Sequence, residues 1–383
     1  MLSDLDESLL HQAPVSFDQT CVSDHRFFDR VWFGGFGVQG VRFMTGLATY
    51  KNTNTVDGYF VMCRDRMQHN MRLSRPMRPD VTDMAVGPLR IDVQEPLQSL
   101  KIAVAPSARH PFAAELLFTA TAPVHEEAPH FKRADGRIVQ DYTRFNQVGR
   151  FDGWVSLAGE RVEVRDWFGA RDHSWGVRPG VGGHEPVTSA AGMTGNPDDV
   201  LPADRGFLLI SLIFDSPEYC GYFQLHEAGD GEVLYADGTC FRRTTHEMTP
   251  LQVKRITHEL TFADGTRTWL RGSLQVVLAD GTALRIEGTN LLPAWCFKGT
   301  GYDFGYADEL GLGVFRGDLL ESDRYDLSHP EDVPLPDGRC IRPWHREADA
   351  ALEVNGQPGF AHFVVISGGP VARYNLTGAT TNK

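Results

Sequence analysis

Two closely similar phrases decide how this chain folds: Leu260-Thr261-Phe262-Ala263-Asp264-Gly265-Thr266-Arg267 and Val277-Leu278-Ala279-Asp280-Gly281-Thr282-Ala283-Leu284. In each, an apolar run enters an Asp-Gly-Thr turn and a second run leaves it. Asp-Gly suits a type I′ hairpin because both central residues accept positive φ. Two such hairpins in succession read as neighbouring strands of one up-and-down antiparallel sheet.

Working outward, the same dipeptide recurs, with Asp57, Asp135, Asp152, Asp230, Asp237, Asp264, Asp280 and Asp337 each preceding a glycine. Alternation predicts a first series of strands over 41–50, 58–64, 89–93, 100–105, 113–120, 149–155 and 162–167. A second series is predicted over 207–214, 219–226, 254–262, 267–278, 283–292, 313–321 and 361–367. Helical spacing is confined to 3–12, 24–32 and 343–350. The expected fold is all-β: two consecutive lipocalin-like antiparallel barrels or bent sandwiches, with few short helices. The N-terminal unit would span 1–180, a Gly/Pro-rich linker 181–203, and the C-terminal unit 204–383.

A chain of 383 residues exceeds what one core usually organises. With 42% hydrophobic and 10% aromatic residues, it can line an apolar cavity as well as fill two cores. A formal charge of −13 disfavours nucleic acid or an anionic membrane surface as partner. The acidic start, Met1 to Ser8, is not a secretory signal, and no apolar run is long enough for an integral membrane segment. Six cysteines without CxxC spacing predict neither a zinc site nor a disulfide framework, so a reduced, cytoplasmic protein is expected. No Walker loop, GxSxG elbow or helix-opening GxGxxG is present, and no cofactor is expected.

Between the two series lies Arg171-Asp172-His173-Ser174-Trp175-Gly176-Val177-Arg178. This density of titratable and aromatic groups at a strand end fits a polar site in an apolar cavity at a domain junction. The competing reading is a structural corner with Asp and Ser as turn formers. If the segment is extended, Asp172 and Ser174 share one face while Arg171, His173 and Trp175 share the other.

The run Asp172 to Gly176 resembles the Asp-His-x-Trp-Gly motif of the carotenoid 1,2-hydratase (hydroxyneurosporene synthase) and AttH-like family of lipocalin-like proteins. Gly299-Thr300-Gly301-Tyr302 and Gly311-Leu312-Gly313-Val314 are similar to Gly-x-Gly turns in related chains. The resemblance implies paired lipocalin-like barrels and, in the hydratase branch, water addition to an alkene with the Asp at the Asp172 position as general acid.

Hydrating an alkene, or dehydrating a tertiary or benzylic alcohol, needs a proton donor kept protonated by burial. Asp172 is that candidate, with His173 to orient it or hold water. A carbocation would call for an electron-rich wall, for which Trp175, Trp154, Trp167 and Tyr302 are candidates. Tyr59 is a cavity-facing candidate, Asp303 an alternative acid, and His184 a residue that could close over the site. Each has a plain packing or solvated alternative. His125, Glu126, Glu127 and His130 lack a regular ligand spacing, so no metal is expected.

The expected reading is a cofactor-independent hydro-lyase acting on a lipophilic alkene or alcohol of isoprenoid, steroid-like or aromatic type. A non-catalytic carrier of similar ligands, or a cyclase or isomerase, are the alternatives. The expected partner is a lipophilic small molecule, and an open sheet edge could pair two copies into a homodimer.

Overall fold

The computed structural model describes residues 2, 4–7, 9–37, 40–134, 136–183, 206–245, 247–343 and 346–377. His184 and most of the expected linker lie outside the described residues. The protein is all-β, and among the described residues the only helical turns are short 3-10 segments. None of its described helices is long and apolar enough to cross a membrane.

The first sheet begins with four meandering strands, β1 (Phe27–Phe36), β2 (Val41–Tyr50), β3 (Thr55–Arg64) and β4 (Met67–Pro76). It continues through β5 (Ala85–Val86), β6 (Leu89–Glu95), β7 (Ser99–Val104) and β8 (Phe112–Ala120). The short β9 (His125–Glu126) and β10 (His130–Ala134) then pair with a long hairpin, β11 (Arg137–Leu157) and β12 (Glu160–Val177). β12 closes back on β1, so the hairpin joins the early meander to the later one.

The second unit is a closed barrel. It contains β13 (Phe207–Asp215), β14 (Tyr219–Ala228), β15 (Val233–Arg243), β16 (Met248–Phe262), β17 (Trp269–Leu278) and β18 (Ala283–Asn290). The chain then leaves the barrel, and β19 (Leu319–Asp326) pairs antiparallel with β4 on the edge of the first sheet. After the small ribbon of β20 (Val333–Pro334) and β21 (Cys340–Ile341), it returns as β22 (Glu347–Val354) and β23 (Gln357–Gly368) to complete the barrel.

The three largest apolar clusters follow from this layout. One, around Phe43, Phe60, Phe118 and Phe151, fills the concave side of the first sheet. Another, around Phe214, Leu274, Trp269 and Phe363, fills the barrel. The third, containing Trp32, Phe168, Ile213, Tyr222 and Trp295, packs the two units together.

Two expected helices are strands, each covered on both faces. Val31 and Phe33 face the first core while Trp32 packs toward the barrel and Phe28 against Tyr50, Tyr306 and Leu312, so β1 is apolar on both sides and loses the two-residue period. In β22, which replaces the expected helix over 343–350, Ala348 and Ala350 enter the barrel core and Asp349 faces Arg42 of the first sheet. The segment expected to be helical at 3–12 forms only the 3-10 turn Asp4–Glu7.

Asp135 lies outside the described residues, and of the described Asp-Gly pairs three are not hairpin turns. Asp57-Gly58 and Asp237-Gly238 lie inside β3 and β15, and Asp152-Gly153 forms a bulge in β11. Gly153 has φ 128°, and a Cβ there would stand 2.1 Å from the carbonyl oxygen of Glu115, so no other residue fits the bulge.

Candidate functional site

Alternation along β1, β11 and β12 sends every second side chain toward the barrel. The registers align these residues into two rungs. Arg30, Ser174 and Arg144 form one, and Trp32, Asp172 and Asn146 form the next. Facing them are Ser211 and Ile213 of β13, Glu347 of β22, and His362 and Val364 of β23. Together they enclose a pouch of about 130 Å³, capped by Phe297, Tyr302 and Arg178.

The pouch opens into a vestibule of about 630 Å³. Tyr142, Tyr235, Phe207, Leu209, Ile366 and Phe131 supply much of its apolar lining, while Arg144, Arg178, Tyr302 and Glu347 belong to both chambers. A vestibule of that size is in the ordinary range for a small-molecule ligand, and the pouch alone is below it.

Asp172 presents its carboxyl to the pouch. Desolvation raises its pKa, opposed by Arg144, Arg30 and Arg178, with Glu127 adding to the rise. Among the described residues its carboxyl makes no hydrogen bond and no ion pair within 4.0 Å. It is therefore available to a ligand, unlike the neighbouring carboxylates.

Those neighbours are committed. Glu127 accepts from His130 Nε2 (2.6 Å) and Asn146 Nδ2 (2.5 Å) and pairs with Arg144 Nε (2.8 Å). Glu127 is buried; Arg144, His130 and Asn146 outweigh the cost of that burial and hold its pKa well below the usual range. Glu347 pairs with His362 Nε2 (2.8 Å). Burial alone would lower the imidazole of His362, but Asp349 and Glu347 outweigh it and push its pKa up to about 9.

The other two arginines lack such partners. Arg30 Nη2 donates to the Tyr59 hydroxyl (3.1 Å), and Arg178 Nη2 donates to the Tyr302 hydroxyl (2.7 Å). Both guanidiniums lie against the Tyr302 ring, at 4.9 and 5.3 Å from its centroid. Burial, then the charge of Arg30, lowers the pKa of Arg178 to about 10.

The residues singled out from sequence divide between this site and other places. Asp172 and Tyr302 line the pouch, Asp303 lies on the vestibule rim, and Tyr59 lies behind Arg30. His173 and Trp175 point to the opposite face of β12, where His173 pairs with Asp29 (2.7 Å) and packs edge-on against Trp175 and Phe145. Trp154 packs under Arg161, 4.4 Å from the guanidinium carbon, and Trp167 lines a separate groove with Phe36 and Phe360. Neither stands at Asp172.

Of the expected aromatic wall only Tyr302 lines the pouch, beside Trp32 and Phe297, and the guanidiniums of Arg30 and Arg178 lie against the Tyr302 ring. Sequence reasoning missed Arg30, Arg144, Glu347 and His362. A charged residue alternating with aromatics on a strand, as in Phe28-Asp29-Arg30-Val31-Trp32, is the signal that could have pointed to Arg30. Among the described residues no group of three or more His, Cys, Asp or Glu is arranged to hold a metal ion.

A search of curated proteins finds no match. Among solved structures, the chain is similar to a protein assigned as AttH from Nitrosomonas europaea, at 10% identity and TM-score 0.48 over 89% of this chain and 92% of that one. It is similar to kievitone hydratase from Nectria haematococca, at 10% identity and TM-score 0.44 over 88% and 87%. It is also similar to CghA in complex with Sch210972, at 8% identity and TM-score 0.46 over 89% and 88%. A family model described as "Family of unknown function (DUF8625)" matches residues 2–331, and the chain belongs to that family.

Proposed function

We propose that the cleft is the active site of a hydro-lyase that adds water to, or removes it from, a lipophilic substrate, with Asp172 as the proton donor. The observation that carries this reading is the state of Asp172: a carboxyl raised by desolvation, facing a cavity, and bound to no other described side chain. A carboxyl whose pKa is raised by desolvation holds its proton more readily, and can deliver it to carbon in hydration or to a departing hydroxyl in dehydration. Water entering or leaving would find acceptors in Ser211 and Glu347. The apolar vestibule suits the body of the substrate.

Asp172→Asn tests the assignment, since it keeps the shape and removes the acid. Turnover should fall by roughly 10²–10⁴-fold with ligand affinity nearly unchanged. A carrier would bind the same ligands with no product by mass spectrometry, and undiminished turnover by the variant would remove Asp172 from the mechanism. Incorporation of ¹⁸O from labelled water separates hydration from isomerisation or cyclisation.

A further inference from the structure

The charges of the pouch do not balance by themselves. Arg144 is matched by Glu127, and His362 by Glu347. Arg30 and Arg178 remain, and among the described residues neither forms an ion pair. Arg30 is only 6% exposed, donates to a neutral phenol, and lines the cavity. Asp172 is the sole uncommitted carboxyl in the pouch, and no contact of 4.0 Å or less joins it to either guanidinium. Holding a buried and a half-buried guanidinium against the same tyrosine ring without an anion is costly, and a ligand that supplies one recovers the cost.

We propose that the pouch takes the carboxylate of an amphipathic acid, held between Arg30 and Arg178, with the apolar body of that acid in the vestibule. This rests on reading the cleft as the substrate site and names the substrate class. The two chambers fit that division. The pouch, about 130 Å³, has room for a head group, and its polar wall includes Ser174, Ser211 and Asn146. The vestibule, about 630 Å³, provides rings and branched aliphatics for the rest of the molecule. Arg178 and Tyr302 stand at the junction, so the head must pass them and finishes beside Asp172.

An anion in this position also assists the acid. Arg30 and Arg178 both favour ionised Asp172, and a carboxylate lying between them offsets that influence and shifts Asp172 further toward its protonated form. The substrate's charge would then help keep the donor loaded until reaction.

The probes are 4-(1-pyrenyl)butyric acid and its methyl ester, titrated by fluorescence into the intact protein. The acid should bind about tenfold or more tightly than the ester, and its affinity should fall as salt rises. Arg178→Gln, at the cavity mouth, should weaken the acid by about tenfold and change the ester by less than about twofold. Arg30→Gln should act in the same way, and the Arg178 variant keeps the test valid if the buried Arg30 variant does not fold. Asp172→Asn should bind the acid no more weakly than the parent. Equal affinity for acid and ester, or equal weakening of both by Arg178→Gln, would overturn the carboxylate inference and leave the lyase reading standing. Failure of both probes to bind would remove the lipophilic cleft and the inference together.

Discussion

Trp32 and Asp172 are direct cross-strand partners on β1 and β12. The buried indole therefore shields one flank of the carboxyl, while the ring of His362 lies 4.7 Å from the indole on the barrel side. Carboxyl ¹³C NMR should show Asp172 titrating above the ordinary value of 3.8. Trp32→Gln should admit water and move that midpoint down. Arg178→Gln removes a charge that favours the ionised form and should move it up. If Asp172 titrates at or below 3.8 in the parent protein, the general-acid assignment fails.

His362 couples stability to pH. Its pKa is raised from 6.5 to about 9, so the protonated ring stabilises the fold fully below about 6.5 and loses that contribution as pH rises through about 9. Denaturant unfolding should find His362→Gln less stable by about 3 kcal/mol at pH 6, with the gap closing by pH 10.

Asp57 has the opposite effect. Burial raises its pKa to about 6, opposed by the Gly313 amide that one oxygen accepts (2.7 Å), and the other oxygen has no partner. Between pH 3.8 and about 6 the folded state holds a proton that the unfolded chain has lost. Its contribution to stability therefore falls by about 3 kcal/mol as pH rises through that window, then stays level. Asp57→Asn can still accept from Gly313, and its thermal midpoint should lack that part of the pH dependence.

Arg42 is the buried tie between the units. It is fully enclosed, pairs with Asp349 on β22 (3.1 Å) and stacks 4.1 Å from the Trp295 ring. Arg42→Met leaves buried Asp349 with His362 as its remaining partner, at 3.8 Å, and should cost about 3 kcal/mol in equilibrium unfolding. Adding Asp349→Leu should restore much of the loss, the mark of a charge penalty as distinct from lost packing.

The parts of the fold legible in sequence were those where one face meets a core and the other meets water. The predicted strand over 113–120 matches β8, whose burial alternates along its length, and the Asp-Gly turns after β16 and β17 lie where the repeated phrase puts them. The period fails where both faces are covered, as in β1 and β22. It also fails over 313–321, where the strand begins only at Leu319, since its pairing is set by β4, far away in the chain. Asp172 was legible as a candidate because its neighbours are sequence-local. Arg30, Arg144, Glu347 and His362 were not, because register and barrel closure bring them together from four separate strands.

β19 has a consequence for anyone who would separate the halves. Its eight residues belong by sequence to the barrel half yet supply an edge of the first sheet, fastened there by Asp323 and Glu321 on Arg72. A fragment ending at residue 183 would expose the full hydrogen-bonding edge of β4, an invitation to strand pairing between copies. Co-expressed with the remainder, the same fragment would find its missing strand there. Reassembly from two pieces, with β19 as the clasp, is thus a property of the topology, and each piece alone should be the less soluble species.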